Sequence, residues 1–451
     1  DIPAISVSNA SYYFVPRCYG LTQLEENEIQ TAQEYNSIAL SEAGILAVQG
    51  QPLKLTGKNV TIGFIDTGIR YENEVFRDAS GKSRITAIWD QTIQTGTPPE
   101  GFEFGSEYTN EMIQRAIDSD HPREIVPSTD EIGHGTAAAS VAAGSRIVGN
   151  GQFIGAAPEC NIVMVKLKEI KPYLREYYLV PEDVPCYSEA DIMQAVQYLQ
   201  KYAISLSRPL VIYLGVGTNL GDHTGASPLA RYLTEISYQK SRAIVIGGGN
   251  EGNAERHFRG EITTRQPVQE VEIRVGEKEK GFIMDFWGKP PYVFVASVRS
   301  PGGETIQWIN PRIKGPQTFT FVFERTRLSV DYILVEPSSN SEMIRFRFEE
   351  PTAGIWSIGI RAEGNVNSAV FDLWLPITQF LQDDTYFLKP DPYITLTDPA
   401  YTARTVCATS YNDENDSLYV NAGRGYSRDD QVKPDVAAPG VNVSSILGNR
   451  S

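Results

Sequence analysis

The chain has 451 residues, of which 41% are hydrophobic and 21% charged, a composition typical of a soluble globular protein large enough for two domains. Its formal net charge of −16 argues against nucleic acid or an anionic membrane surface as a partner. The longest apolar runs are only strand-length, so no membrane-spanning helix is expected. The first residues include neither a Met nor an apolar targeting segment, and we expect any signal or pro-segment to lie outside this chain.

Cysteine and acidic residues give little indication of a cofactor. The cysteines are Cys18, Cys160, Cys186 and Cys407. They lack the C-x-x-C spacing of zinc sites, so we expect free buried thiols, with a disulfide as the alternative. An acid-rich region that could bind calcium contains Asp90, Asp118, Asp120 and Asp130. No D-x-D-x-D-G loop supports a calcium site there, and we expect these carboxylates to lie on solvated surface. The sequence thus predicts no cofactor.

The N-terminal part of the chain leads into an alternation of strands and helices. The first 56 residues contain a short β-like stretch at 11–15 and helical apolar spacing at 37–48. The predicted strands that follow are Val60–Ile65, Ile162–Lys166, Leu210–Leu214 and Ala243–Ile246. The predicted helices are His134–Ala143, Ser188–Tyr202 and Ser227–Lys240. Near-continuous apolar strands that alternate with helices predict an α/β fold, with helices on both faces of a parallel sheet.

The pattern changes after about residue 255. Polar and apolar residues alternate with period two at 268–275, 318–323, 343–348 and 369–375. No helical pattern intervenes until about residue 378, which predicts an inserted antiparallel β-sandwich of jelly-roll size. The α/β pattern resumes near residue 401. The predicted organisation is therefore an N-terminal segment (1–56), an α/β part (57–255), the insert (256–395) and a second α/β part (396–451).

Two residues suggest an acid–base pair. Asp66 ends the first predicted strand and is followed by Thr67-Gly68, where a carboxylate can accept a hydrogen bond from Nδ1 of a histidine. His134 stands between two glycines where the first predicted helix begins, and the small residues of that helix suit close packing on a sheet. Taken alone, Asp66 could equally cap a turn and His134 could be structural. Their occurrence together, in this order, favours the acid–base pair.

A third segment adds a candidate for stabilising negative charge. Asn250 follows Gly247-Gly248-Gly249 at the end of a predicted strand. This stretch has almost no side-chain bulk, so a substrate backbone can approach and the amide can donate to a developing oxyanion. The alternative is a glycine-rich turn that needs Asn only for its backbone angles.

With these three segments in this order, the chain resembles the subtilisin (subtilase) family of serine endopeptidases. The resemblance implies that Asp66 orients the histidine, that His134 is the general base and acid, and that Asn250 is the side chain of the oxyanion hole. It also implies a substrate-binding wall at Tyr213, Leu214 and Gly215, with Tyr213 where subtilisins usually have a small Ser. Gly248 and Gly249 resemble the opposite wall.

The nucleophilic serine of that family should come last in the chain. The segment 433–440 resembles the stretch that leads into the nucleophile helix, yet no Gly-Thr-Ser-x-Ala motif occurs anywhere in the sequence. We therefore expect the serine to lie beyond Ser451. The alternative is a catalytically inactive relative that acts as a scaffold or signal receptor. A carbohydrate-binding sandwich is a third interpretation, but the insert has no evident cluster of exposed Trp.

A narrower likeness covers nearly the whole chain. The segments 84–92, 98–102 and 125–134 resemble the clostridial Csp-type germination subtilases. That resemblance implies a jelly-roll between the oxyanion Asn and the serine. It implies a protein or peptide substrate, and a prodomain that is cleaved and sometimes stays bound. It also implies a secreted or spore-associated location.

Overall fold

The computed structural model describes residues 15–22, 32–147, 153–312 and 315–446. The predicted β-like stretch at 11–15 lies outside these ranges except for Val15. All four cysteines are free and buried, as the sequence predicts. None of the helices in the described ranges is long and apolar enough to cross a membrane.

The helices are short, and most lie in the α/β parts of the chain. They are α1 (Ala32–Glu42), α2 (Ile45–Gln49), α3 (Asn110–Ile117), α4 (Pro122–Ile125), α5 (His134–Ala143), α6 (Pro172–Tyr178), α7 (Glu189–Ser205) and α8 (Pro228–Ser237). The three helices predicted after residue 130 correspond to α5, α7 and α8. The helix predicted at 37–48 is divided in two, because Gly44 has a left-handed backbone (φ 71°) that ends α1 before α2 begins.

Strands occupy most of the remaining chain. Those before residue 256 are β1 (Cys18–Leu21), β2 (Thr61–Asp66), β3 (Ile85–Asp90), β4 (Ser106–Thr109), β5 (Asn161–Lys166), β6 (Tyr187–Ser188), β7 (Leu210–Leu214), β8 (Val216–Gly217) and β9 (Arg242–Gly247). Those that follow are β10 (His257–Thr263), β11 (Gln269–Val275), β12 (Gly281–Gly288), β13 (Phe294–Arg299), β14 (Thr305–Ile309), β15 (Gln317–Thr320), β16 (Arg327–Ile333), β17 (Glu342–Glu349), β18 (Gly354–Ala362), β19 (Ser368–Trp374), β20 (Tyr386–Phe387), β21 (Val406–Asn412), β22 (Ser417–Leu418) and β23 (Val436–Pro439).

A largely parallel sheet organises the α/β part. Its strand order is β22-β21-β9-β7-β2-β5-β3-β4, with β23 paired to β21. Strands β3, β5, β2, β7, β9 and β21 run parallel to their neighbours, and β4 and β22 are antiparallel at the edges. The four predicted strands are β2, β5, β7 and β9, so this part of the prediction is confirmed.

Helices cover both faces of that sheet. Successive residues of β2 point to opposite faces, so Ile65 joins one apolar cluster and Phe64 another. Helices α7 and α8 contribute to the cluster of Ile65, whereas α5 contributes Ala139 and Ala143 to that of Phe64. Every residue of β2 is buried. Its apolar sequence, without alternation, follows from this burial on both faces.

Two antiparallel sheets follow the first α/β part. Their strand orders are β10-β19-β12-β17-β16-β15 and β14-β13-β18-β11-β20, and an apolar cluster rich in Phe lies between them. This agrees with the period-two alternation of the sequence. Strand β10 pairs with β19 from His257↔Trp374 to Thr263↔Ser368, so the chain enters and leaves the first of these sheets on neighbouring strands, and β20 then adds to the second sheet.

A third, small sheet contains the N-terminal strand. Strand β1 lies between β6 and β8 and is antiparallel to both. Its partners include Tyr187, paired with Tyr19, and Gly217, paired with Gly20. Each of the four residues of β1 is buried. The start of the described chain is thus anchored to segments far along the sequence.

The packing of α7 on the sheet generates a prediction. A Cβ atom on Gly63 of β2 would lie 2.6 Å from Cδ1 of Leu199. Gly63→Ala should therefore destabilise the protein by roughly 1–3 kcal/mol through overpacking, seen as a lower thermal midpoint. Leu199→Ala also destabilises, because it leaves a cavity, but it removes the obstacle. The double variant should lose less stability than the two single variants lose in sum. Strictly additive losses of stability would contradict the proposed contact between position 63 and Leu199.

Candidate active site

The end of β2 and the start of α5 bring Asp66 and His134 together. Nδ1 of His134 lies 2.7 Å from Oδ1 of Asp66, and both side chains are buried. The expected hydrogen bond, with Asp66 on the Nδ1 side of the ring, is present. A Cβ at position 135 would lie 2.3 Å from the carbonyl oxygen of Gly68 and 3.1 Å from Oδ1 of Asp66. Glycine at this position therefore allows the helix to begin against the strand end.

Asp130 holds this arrangement in place. Its Oδ1 accepts hydrogen bonds from Oγ1 of Thr67 (2.8 Å) and the backbone N–H of Gly133 (2.7 Å). Its Oδ2 accepts from the backbone N–H and the hydroxyl of Thr136, at 2.8 and 2.6 Å. One carboxylate thus ties the turn after Asp66 to the first turn of α5, where its charge also suits the positive end of the helix.

The expectation of solvated carboxylates was wrong for Asp130 and Asp90. Both are buried. Oδ2 of Asp90 accepts from the hydroxyl of Ser128 at 2.7 Å, and its Oδ1 accepts from the backbone N–H of Thr92 at 2.8 Å. These donors offset the cost of burying the charge. Asp118 and Asp120 are exposed, as expected. A local signal for Asp130 did exist, since an Asp shortly before a helix start is a common capping arrangement.

The N-terminal strand brings a peptide carbonyl to His134. Nε2 of His134 lies 2.7 Å from the carbonyl oxygen of Thr22, the residue after β1. The backbone N–H and the hydroxyl of Thr22 both donate to the carbonyl oxygen of Gly215, each at 3.1 Å. Residues 18–22 therefore lie along the edge formed by residues 215–217 in the manner of an added strand. Nothing in the sequence pattern indicated this contact.

The two partners of His134 favour its protonated form. A carboxylate and a backbone carbonyl accept hydrogen bonds, so an imidazolium, which donates from both ring nitrogens, matches the two partners of His134. Burial alone would lower the pKa of His134, but the charge of Asp66 and the hydrogen bonds to Asp66 and Thr22 raise the pKa above its usual range.

The glycine-rich turn after β9 faces the same carbonyl. A small cavity of about 10 Å³ is lined by residues from the N-terminal strand, from β8 and from the glycine-rich turn. These include Thr22, Gly217, Gly249, Asn250 and Glu251. Asn250 therefore lies beside the residue whose carbonyl meets His134.

One predicted wall lies two residues further along the chain than expected. Leu214 is fully buried in the core, and the ring of Tyr213 lies 5.7 Å from that of Phe64. The backbone that pairs with the N-terminal strand belongs to Gly215 and to β8. Tyr213 and Leu214 are thus strand residues, because β7 continues in the central sheet through Leu214. Gly215 is beside the acid–base pair, since a Cβ there would lie 2.3 Å from Oδ2 of Asp66.

The chain is similar to known subtilases in sequence and in structure. The model of the subtilase family (Peptidase_S8) matches residues 57–277. The subtilisin-like proteases SBT3.6 and SBT3.3 of Arabidopsis thaliana are 26% and 28% identical over 221 residues, which are 44% of this chain and 26% of each relative. The chain thus spans about a quarter of the length of these curated relatives. The structure of the Clostridium perfringens CspB protease superposes with a TM-score of 0.77 at 28% identity, covering 90% of this chain and 79% of that one.

The bonding of His134 generates a prediction about pH. Because the pKa of His134 is raised in the folded state, protonation of the ring stabilises the fold. This stabilisation is fully present below about pH 6.5, the pKa of an unperturbed histidine, and is lost as the pH rises through the raised pKa. Nitrogen NMR of the imidazole rings should show His134 doubly protonated at pH 6.5 and losing its proton only at higher pH. His223 is an internal control, since burial lowers its pKa to about 3 and should keep it neutral from pH 5 upward. Titration of His134 at or below its usual value would contradict the assignment.

Proposed function

We propose that this chain, a subtilisin-like protein of the peptidase S8 type, is the major part of a serine endopeptidase whose nucleophilic serine lies beyond Ser451. One observation carries the proposal. The buried pair of Asp66 and His134 faces the carbonyl of a peptide strand, with Nε2 2.7 Å from the carbonyl oxygen of Thr22. A peptidase with this geometry would hold its scissile bond at that position.

In this proposal each residue has a defined task. His134 accepts the proton of the serine hydroxyl during attack and returns it to the leaving amine. Asp66 keeps Nδ1 protonated and stabilises the imidazolium that forms. Asn250 donates its amide to the oxyanion of the tetrahedral intermediate. The arrangement is completed by a hydroxyl on the His134 side of the scissile carbonyl carbon, which the downstream segment would supply.

The course of the last described residues supports this location for the serine. Strand β23 adds to the central sheet beside β21. Further on, the backbone N–H of Ile446 lies 3.4 Å from Oγ of Ser140 in α5, the helix that begins with His134. The chain thus runs from the sheet to the helix that carries the proposed base.

In place of the expectation that any pro-segment lies outside this chain, we further propose that residues 18–22 are the end of a pro-segment bound in the substrate cleft. Strand β1 takes the place of a substrate strand between β6 and β8, and His134 faces its last carbonyl. Cleavage of the bond after Thr22 would release the following residues while the strand stays bound. The segment would then be an inhibitor that has to leave before another substrate enters.

From the resemblance to the Csp-type subtilases, we also propose that residues 256–395 form a separate jelly-roll domain and that the protein is secreted or spore-associated.

A fluorophosphonate probe tests the proposal, because it labels only an activated nucleophile. The 451-residue chain should not be labelled and should not turn over peptides, since neither His134 nor Asn250 replaces a nucleophile. A longer protein that includes the downstream segment should be labelled at one serine. In that protein His134→Ala should lower turnover by roughly 10⁴-fold or more, and Asn250→Ala by roughly 10²–10³-fold.

Control variants separate the site from general effects. His121 is exposed and its side chain makes no capping bond to α4, so His121→Ala should leave labelling unchanged. Labelling of an internal serine such as Ser140 would mean that the nucleophile has been misplaced. A folded longer protein that is not labelled would favour the inactive scaffold or receptor.

A further inference from the structure

The cleft holds Tyr19, the second residue of β1, by a specific polar contact. The side chain is fully buried, and its hydroxyl donates to Oδ2 of Asp398 at 2.8 Å. Asp398 belongs to the cleft, because its backbone exchanges two hydrogen bonds with Thr218, directly after β8 (2.8 and 3.0 Å). Arg17 and Ser227 also interact with this carboxylate. A phenol therefore has a designated acceptor at the bottom of its pocket.

Because Asp398 is buried, the hydrogen bond from the Tyr19 hydroxyl stabilises its carboxylate. Desolvation raises the pKa of Asp398 to about 6, although Arg17 and the hydrogen bond from Tyr19 act in the opposite direction. A phenylalanine at position 19 would fill the same space but leave the carboxylate with one donor fewer. The pocket thus discriminates tyrosine from phenylalanine through polarity, since the two rings have the same shape.

The next residue of the strand meets a steric limit. A Cβ on Gly20 would lie 2.4 Å from Cδ1 of Ile377, 3.1 Å from Oε1 of Gln379 and 3.3 Å from Cε1 of Phe380. The side-chain amide of Gln379 also donates to the carbonyl oxygen of Leu21, so this segment covers the strand from its open side. An alanine would therefore force the end of the Ile377 side chain to shift and would press on Gln379 and Phe380.

That covering segment is itself fixed from the cleft side. The carboxylate of Glu251, directly after Asn250, accepts bonds from the backbone N–H of Thr378 (3.1 and 3.2 Å) and from its hydroxyl (3.0 Å). Burial raises the pKa of Glu251, and the bonds from Thr378 oppose this shift. The segment 377–380 cannot retreat from Gly20 without breaking these bonds, which keeps the space above position 20 closed.

We infer that this cleft selects peptide strands in which a tyrosine and then a glycine occupy the third and second residues before the one whose carbonyl meets His134. Asp398 recognises the tyrosine hydroxyl, and Ile377, Gln379 and Phe380 exclude any side chain at the glycine position. The inference rests on the proposed role of the cleft as the substrate-binding site. It adds a substrate class: proteins with an accessible, extended Tyr-Gly-x-Thr segment or a close variant of it.

Hydrogen exchange of the 451-residue chain tests the selection without any need for catalysis. The backbone amides of residues 18–22 exchange when the strand leaves the cleft. Tyr19→Phe and Gly20→Ala should each accelerate this exchange by roughly ten-fold or more. Exchange in β12 and β19 reports whether each variant is folded.

Matched substitutions elsewhere provide the controls. Tyr198 is also buried, and its hydroxyl donates to Oε1 of Glu107 at 2.7 Å, so Tyr198→Phe removes an equivalent bond far from the cleft. The nearest atom to a Cβ on Gly50 is 3.5 Å away, so Gly50→Ala introduces only an ordinary contact. Neither control should change the exchange of residues 18–22.

Second-site variants assign the effects to the named contacts. In an Asp398→Ala background, Tyr19→Phe should have almost no further effect, because the acceptor is already absent. Ile377→Ala should restore slow exchange to Gly20→Ala, because it vacates the closest obstruction. If the amides of residues 18–22 exchange in folded Tyr19→Phe and Gly20→Ala proteins as they do in the control variants, the inference that the cleft selects tyrosine and glycine is overturned.

Cleavage of peptides separates this inference from the proposed function. If the longer protein is active, kcat/KM for a quenched peptide containing Tyr-Gly-Leu-Thr should exceed that for the Phe-Gly-Leu-Thr and Tyr-Ala-Leu-Thr peptides by roughly ten-fold or more. Equal values would overturn the selection and leave the peptidase proposal intact. Absence of turnover together with the expected exchange effects would overturn the peptidase proposal and support the selection.

Discussion

The buried carboxylate of Asp66 is the constraint on which the site depends. Burying a charge is costly unless donors offset it, and here Oδ1 of Asp66 accepts from the backbone N–H of Thr67 and bonds Nδ1 of His134, both at 2.7 Å. One donor belongs to the turn after β2 and the other to the first residue of α5. The carboxylate therefore fixes the strand end, the helix start and the ring plane together, and the ring directs Nε2 toward the cleft.

The antiparallel sheets contribute to the cleft through the chain that leaves them. The segment 377–380 covers the N-terminal strand, and Asp398 lies beside Thr218. Aromatic stacking joins the sheets to the α/β part, since the ring of Trp374 in β19 lies 3.9 Å from that of His223. The chain that follows β19 therefore forms part of the wall that contacts residues 18–22.

The elements of the central sheet could be predicted because their signals are local. Strand β2 is an apolar run, and α5 and α7 have helical spacing, so each was placed within a few residues. The prediction failed where burial reverses a local preference. Asp130 is predicted to be solvated because charged residues are usually exposed, yet four groups donate to its buried carboxylate, including the hydroxyl of Thr67 and the backbone N–H of Gly133. Those donors come together only in the folded chain.

The sequence by itself determined the types and order of the chemical groups. Asp66, His134 and Asn250 follow strands or begin a helix in patterns that local periodicity and glycine content reveal, and parallel strands bring such ends to one edge of a sheet. Only the tertiary structure decided that Thr22 contacts Gly215, 193 residues away, and that segment 377–380 closes over Gly20. Such contacts depend on loop closure and on complementary shape between distant segments, and the periodicity of a short sequence segment indicates neither.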